Sequence, residues 1–256
     1  MVDGSLTGNA LTYVGHATVL LELGGVRLVT DPVLRAHVMH LKRHGGAIAP
    51  ESLGELDAVL VSHGHLDHLD IASLRALATP ERQLVVPRGV SRVVGDLGFG
   101  AVHELTIGTS VKIGAVTVSG TPAEHDGRRH PLAQRDETLG YLIDGDRRVY
   151  FAGDTDLFPE MADLADGLDL ALLPVWGWGP SLGAGHLDPR AAARALTLLR
   201  PRVAVPIHWG TLFPYTLDRV RGHLLSQPPR EFAREAGRVA PDVEVRVLER
   251  GESTRL

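Results

Sequence analysis

Residues 59–70 read VLVSHGHLDHLD: an apolar run ends, and three histidines and two aspartates arrive within eight positions. The run VLV, β-branched and followed by Ser, His and Gly, reads as the end of a buried strand. The stretch DIASLRALATP that follows reads as a helix with Asp70 at its N-cap. A strand that turns at once into a helix can aim several side chains at one place. His63 and His65 lie two apart and project the same way while the chain is extended. Asp67 and His68, in the turn, aim at a second point close by. With 13 His in 256 residues, His-x-His-x-Asp-His arises by chance in roughly one such chain in a few hundred, which sets aside a plain surface loop. Imidazole and carboxylate suit zinc, manganese or iron, and two directions of aim suit two ions better than one.

Further residues of metal-binding type also stand at strand ends. His125 closes VTVSGTPAEH, Asp154 follows RRVYFAGD, and His208 follows VAVPIHW. Each alone reads equally well as a cap or a satisfied core histidine. Together they fit one site, since α/β folds gather theirs at the C-terminal ends of strands. The absence of cysteine means that any metal is held by His and carboxylate and that no disulfide or thiolate nucleophile exists.

The rest of the chain supplies a layered scaffold. Candidate strands are LTYVGHATVLLEL, VRLVTD, AVLVSHG, QLVVP, VKIGAVTVSGTPA, TLGYLIDG, RRVYFAGD, LALLPVW and VAVPIHW. Helices fit DIASLRALATP, SRVVGDLG, MADLADGL, DPRAAARALTLLRP and LDRVRGHLLSQ, with Asp188 a second N-cap and Pro201 closing its helix. Strands interleaved with helices predict an α/β layered fold. Hairpins at 11–30 and 111–150 each precede strand and helix units, which predicts two similar halves meeting near residue 125. With no linker in view, residues 1–256 read as one domain. A net charge of −5 and no basic extension argue against a nucleic-acid partner. No window approaches the roughly 20 apolar residues of a membrane helix, and the first residues lack the pattern of a signal peptide. A cytoplasmic location is the expectation, and self-association stays open.

The set HGHLDH, an isolated His, a GDT aspartate and a late IHWGT histidine resembles the metallo-β-lactamase fold, a four-layer αββα sandwich. VGHATVLLEL, TDPVL, TPAEH, YFAGDTD, GHLDP and PIHWGT resemble the branch with ascorbate-6-phosphate lactonase and N-acyl-phosphatidylethanolamine phospholipase D. The motifs span about residues 13–211. The resemblance implies that His63, His65 and His125 hold one metal, that Asp67, His68 and His208 hold a second, and that Asp154 bridges them. It implies two divalent ions, zinc first and manganese or iron next, and hydrolysis of a phosphodiester, ester or lactone by a bridging hydroxide. Asp67 would take the proton of that nucleophile. Without cysteine, antibiotic hydrolysis is not the expected task. The alternative is a non-hydrolytic member of the fold, an iron oxidoreductase or a metal-binding protein without turnover.

Other residues have plausible but weaker roles. Asp31 and Asp156 are candidate acceptors for the outer nitrogens of ligand histidines. His186, in a Gly-rich loop with Trp176 and Trp178, can contact the substrate or protonate its leaving group as a second catalytic residue, or cap the helix at Asp188. The two tryptophans either wall a pocket or cover the core, and His16, within a strand, reads as structural or as a support behind a metal ligand rather than as catalytic. His37, His40 and His44 have the spacing of one helix face, but Arg35, Lys42 and Arg43 beside them disfavour a cation, so the segment reads as solvated or substrate-facing. Arg128, Arg129 and His130 are basic and follow His125, which suits a small anionic substrate.

Overall fold

The computed structural model describes residues 8–127, 136–177 and 183–256. Among these, two seven-stranded sheets form the centre. The first has the order Ser253–Arg255, Ala10–Gly15, Thr18–Leu23, Val26–Thr30, Ala58–Leu60, Gln83–Pro87 and Ala101–Leu105. The second has the order Glu244–Val245, Val203–Ile207, Leu170–Pro174, Arg148–Phe151, Gly140–Asp144, Val116–Thr121 and Ser110–Ile113. Each sheet joins four antiparallel strands to a parallel set, and Val26–Thr30 and Arg148–Phe151 are the strands where the pattern changes. The two halves therefore share a plan. They meet at the turn between Leu105 and Ser110, not near residue 125. Strand Ala101–Leu105 shows why: at the sheet edge it alternates half-exposed and exposed positions and carries no apolar run.

Alternation sends Leu11, Tyr13, Val19, Leu21, Leu28 and Leu60 to one side of the first sheet, where they form one core with Val118, Tyr141 and Phe151 of the second. The opposite side of the first sheet places Leu20, Val29, Val59 and Leu84 against Leu74 and Leu77 of the helix Ile71–Leu77. Helices Pro189–Leu199 and Gln227–Val239 cover the second sheet through Ala192, Leu196, Phe232 and Ala236. The order is helix, sheet, sheet, helix, the four-layer αββα sandwich. Fully burying a side chain such as Phe232 stabilises this packing by roughly 1.5–3 kcal/mol. A third, three-stranded sheet of His37–Val38, Leu41–Arg43 and Leu212–Pro214 lies to one side, and its core includes Leu66 of the His-rich loop.

The expected caps are present: Asp70 accepts from Ser73 N at 3.2 Å and Asp188 from Ala191 N at 2.7 Å. Segment 91–94 forms a single turn and segment 159–164 a short 3-10 helix. The helix Gln227–Val239 has no counterpart in the sequence expectation, and Pro228 and Pro229 stand at its start. In the first turn of a helix proline costs no hydrogen bond and sets the required φ. Among the described residues no helix is long and apolar enough to cross a membrane.

Candidate metal centre

Strand Ala58–Leu60 delivers the His-rich loop to the edge between the two sheets. Beyond it Val61 N still bonds Val85 O, and the loop then winds into a turn in which His68 N and Leu69 N both donate to His65 O. Strand Arg148–Phe151 delivers Asp154 through Gly153, whose φ is +60° and where a Cβ would lie 2.7 Å from the Cβ of Ser62. Only glycine allows that approach. His125 follows Val116–Thr121, and His208 follows Val203–Ile207 with a left-handed backbone.

These seven residues converge. The rings of His63, His65 and His125 lie with centroids 4.6–4.9 Å apart, and His65 Nδ1 is 3.1 Å from His125 Nε2. His68 Nε2 and His208 Nε2 are 2.9 Å apart, with Asp67 Oδ2 at 3.9 and 3.8 Å from them. Asp154 stands between the groups: Oδ1 is 3.2 Å from His208 Nε2 and Oδ2 is 3.3 Å from His68 Nε2. It also joins His63 and His68 in one potential metal-binding group and His125 and His186 in another.

The donor set fits a cation. His208 Nδ1 donates to Trp176 O at 2.6 Å and His125 Nδ1 to Gly185 O at 2.8 Å. Ser62 Oγ gives its proton to Asp31 Oδ2 at 2.6 Å and so accepts from His63 Nδ1 at 2.9 Å. Each ring therefore turns a bare Nε2 lone pair inward. That of His63 is buried with no hydrogen-bond partner. Burial keeps these rings neutral, pushing His208 down to about 3 and holding His63 well below the usual value. Around His68 burial acts in the same direction, but Asp154, Asp31 and Asp67 outweigh it and hold its pKa well above the usual value. Inward lone pairs and carboxylates packed this closely repel one another wherever no proton lies between them, and a divalent cation removes the conflict.

The model of the beta-lactamase superfamily domain matches residues 26–209. The chain belongs to this superfamily. A UPF0173 metal-dependent hydrolase of Deinococcus radiodurans is 36% identical over 256 residues, 95% of this chain and 97% of its own length. The N-acyl-phosphatidylethanolamine-hydrolyzing phospholipase D 1 of Caenorhabditis elegans is 34% identical over 81% of this chain, which spans 65% of that protein. Among solved structures Igni18, a metallo hydrolase from Ignicoccus hospitalis, superposes with a TM-score of 0.74 at 25% identity, covering 97% of this chain and 98% of that one.

The groups that orient the rings of this superfamily member differ in part from those expected. Asp31 does hold His68 Nδ1, at 2.6 Å, and its other oxygen accepts Ser62 N at 2.7 Å. Asp156 does not serve in this way: its Oδ1 accepts the N–H of the next residue, Leu157. Ser62 and the carbonyls of Trp176 and Gly185 act instead. His16 sits in a turn between two strands, not inside one, and its Nε2 lies 3.2 Å from Asp67 Oδ2.

His186 is at the rim, its Nε2 3.5 Å from Asp154 Oδ2 and its ring edge-on to His125. The helix that follows is capped by Asp188, not by His186. Trp176 is buried against Phe213, in the core rather than in a pocket wall, while Trp178 lies outside the described residues. Arg128, Arg129 and His130 also fall outside them. His37, His40 and His44 do not share a helix face. They lie on or beside a β-hairpin, His37 stacks on Tyr215, and among the described residues none of the three joins a potential metal group. Arg35 makes a two-pronged pair with Asp70, and Arg43 is buried on the carbonyls of Val14 and Val33. A pocket of ≈ 630 Å³ opens beside His125, with Arg88, Ser91, Arg92, Asp136 and Thr138 in its wall.

Proposed function

We propose that the chain is a metal-dependent hydrolase with a paired divalent centre, which cleaves a phosphodiester, ester or lactone in a small anionic substrate. His63, His65 and His125 would hold one ion, Asp67, His68 and His208 the other, with Asp154 shared. The observation that carries the reading is the place of Asp154, within reach of both histidine groups. Zinc is the first candidate and manganese or iron the next, since all the donors are nitrogen or oxygen. A bound pair supplies Lewis acidity and a water that ionises near neutral pH.

The protein's own groups do the rest. Water oxygen forms a bond to phosphorus or carbonyl carbon, its proton passes to Asp67, and the bond to the leaving oxygen breaks. His186 faces Asp154 from the half-open rim and can give that oxygen a proton or bind the developing negative charge. The pocket beside His125 accommodates a small molecule, and its wall is of mixed charge: Arg88 pairs with Glu137 and Arg92 with Asp136, and Glu104 also lines it. The shared description of the Deinococcus and Ignicoccus relatives as metal-dependent or metallo hydrolases supports the class. The Caenorhabditis relative supports a phosphodiester.

The test is to strip the protein with chelator, reload it with Zn²⁺, Mn²⁺ or Fe²⁺, measure ions per chain, and assay chromogenic phosphodiesters, esters and lactones. Two ions per chain and hydrolysis that disappears on stripping are expected. A stoichiometry of one, or no turnover of any class with both ions loaded, would overturn the reading.

A further inference from the structure

Three residues that are not glycine adopt left-handed backbone on the same side of the centre: His16 at φ +59°, Asp31 at +35° and His208 at +63°. Such strain persists only where the surroundings over-determine it. His16 is pinned by its backbone. Its N–H donates to Thr211 Oγ1 at 2.8 Å and Tyr13 Oη at 3.1 Å, and its carbonyl accepts from His208 N at 2.8 Å. Tyr13 donates onward to Trp209 O, and the buried Arg43 holds the carbonyl of Val14 at 2.8 Å and that of Val33 at 2.7 Å. Gly15 must lack a Cβ, which would sit 2.7 Å from Thr211 Oγ1. The turn thus drives the His16 ring into the centre, buried and with its centroid 3.8 Å from that of His208. His16 Nδ1 has no hydrogen-bond partner among the described residues, so Nε2 is the nitrogen that donates, to Asp67 Oδ2.

We propose that His16 is a positioning residue for Asp67. By donating to Oδ2 from a fixed turn while lying against His208, it sets the rotamer of the Asp67 carboxylate and tightens metal binding by Asp67, His68 and His208. The group of His63, His65 and His125 does not depend on it. The inference rests on the paired centre proposed above.

Titrating metal-free protein with Zn²⁺ against a chromophoric chelator resolves the two affinities, and the metal-free melting temperature is measured alongside. His16→Ala should weaken one affinity by roughly 10- to 100-fold, the range for losing a group that orients a ligand, and leave the other within about threefold. His16→Phe keeps a ring against His208 without the donor and should match it, whereas His16→Gln, whose amide can donate, should recover most of the loss. In an Asp67→Asn background His16→Ala should add no more than about threefold, because the two groups act as one. Unchanged affinities, equal losses at both sites, or a full loss that persists with Asp67→Asn would overturn the proposal. The last is the result if His16 itself ligates. Wild-type protein that takes up only one ion would instead fail the paired centre, and this inference with it.

Discussion

Asp31→Asn tests how the His68 side of the centre is built. The carboxylate is fully buried, with Oδ1 on Ser62 N at 2.7 Å and Oδ2 shared by Ser62 Oγ and His68 Nδ1, each at 2.6 Å. Asparagine is nearly isosteric and tolerates positive φ as aspartate does, so the backbone strain at this position is unchanged. It keeps only one acceptor. If the carbonyl stays on Ser62 N, the amide NH₂ faces His68 Nδ1, donor against donor. His68 then either leaves its Nδ1–H unpaired or shifts the proton to Nε2, where it occupies the lone pair that faces the centre. A hydrogen bond to a charged group is worth about 1.5–3 kcal/mol, and at about 1.4 kcal/mol per tenfold this predicts a metal affinity roughly 10- to 100-fold weaker at one site. Losses of the same size follow generally when a group supporting a metal ligand is removed. Competition titration of the metal-free variant, with circular dichroism to verify the fold, measures the change. Two affinities within about threefold of wild type would refute the assignment of Asp31 as the group that orients His68.

Replacing His37, His40 and His44 together by alanine should leave metal content unchanged, since they lie on or beside a hairpin outside the cluster. Halved content by elemental analysis would refute this. His186→Ala should keep both ions but slow turnover of a substrate with an alkyl leaving group by roughly 10²–10⁴. A nitrophenolate leaving group, already acidic, should be affected much less, and loss of metal would make His186 a ligand. Chelation should lower the melting temperature, because the residues around each ion come from both sheets and meet only when the sheets are packed. An ion at about 100 times its Kd stabilises by about 2.7 kcal/mol, or about 5–10 °C for a chain of this size. An unchanged melting temperature would show that the cluster does not bind the ion added.

The seven residues that converge in the cluster were legible because each is a distinctive side chain at the end of an apolar strand. Their supports were less so, for a chemical reason. His208 and His125 are oriented by the carbonyls of Trp176 and Gly185, and any residue offers a carbonyl. Asp31 and Asp156 look alike in sequence, each an aspartate in a turn after a strand. Which one reaches a ring depends on the packing of the loop, and only Asp31 faces His68. Arg43 sits in a basic, histidine-rich segment that reads as solvated. It is buried because two backbone carbonyls, 10 and 29 residues away in sequence, satisfy its guanidinium.

His16 shows where a local reading stops. The run LTYVGHATVLLEL is apolar enough to pass for one strand, and the reversal at Gly15 and His16 leaves little trace in it. What makes the turn is distant: Thr211 and Tyr13 hold its amide, and His208 donates to its carbonyl. A left-handed glycine can be guessed from its identity, but a left-handed histidine cannot, because histidine, though it visits that backbone more often than most residues, does so at only a minority of positions. The constraint that holds it there makes such a residue informative once the fold is known. His16 and His208 are strained and joined through one backbone hydrogen bond, so the turn that aims one ring also fixes the other. The Asp67 side of the centre is therefore preorganised by contacts between segments nearly 200 residues apart. The loop carrying His63 and His65, though it starts the motif that is easiest to read, has no left-handed residue, Gly64 included.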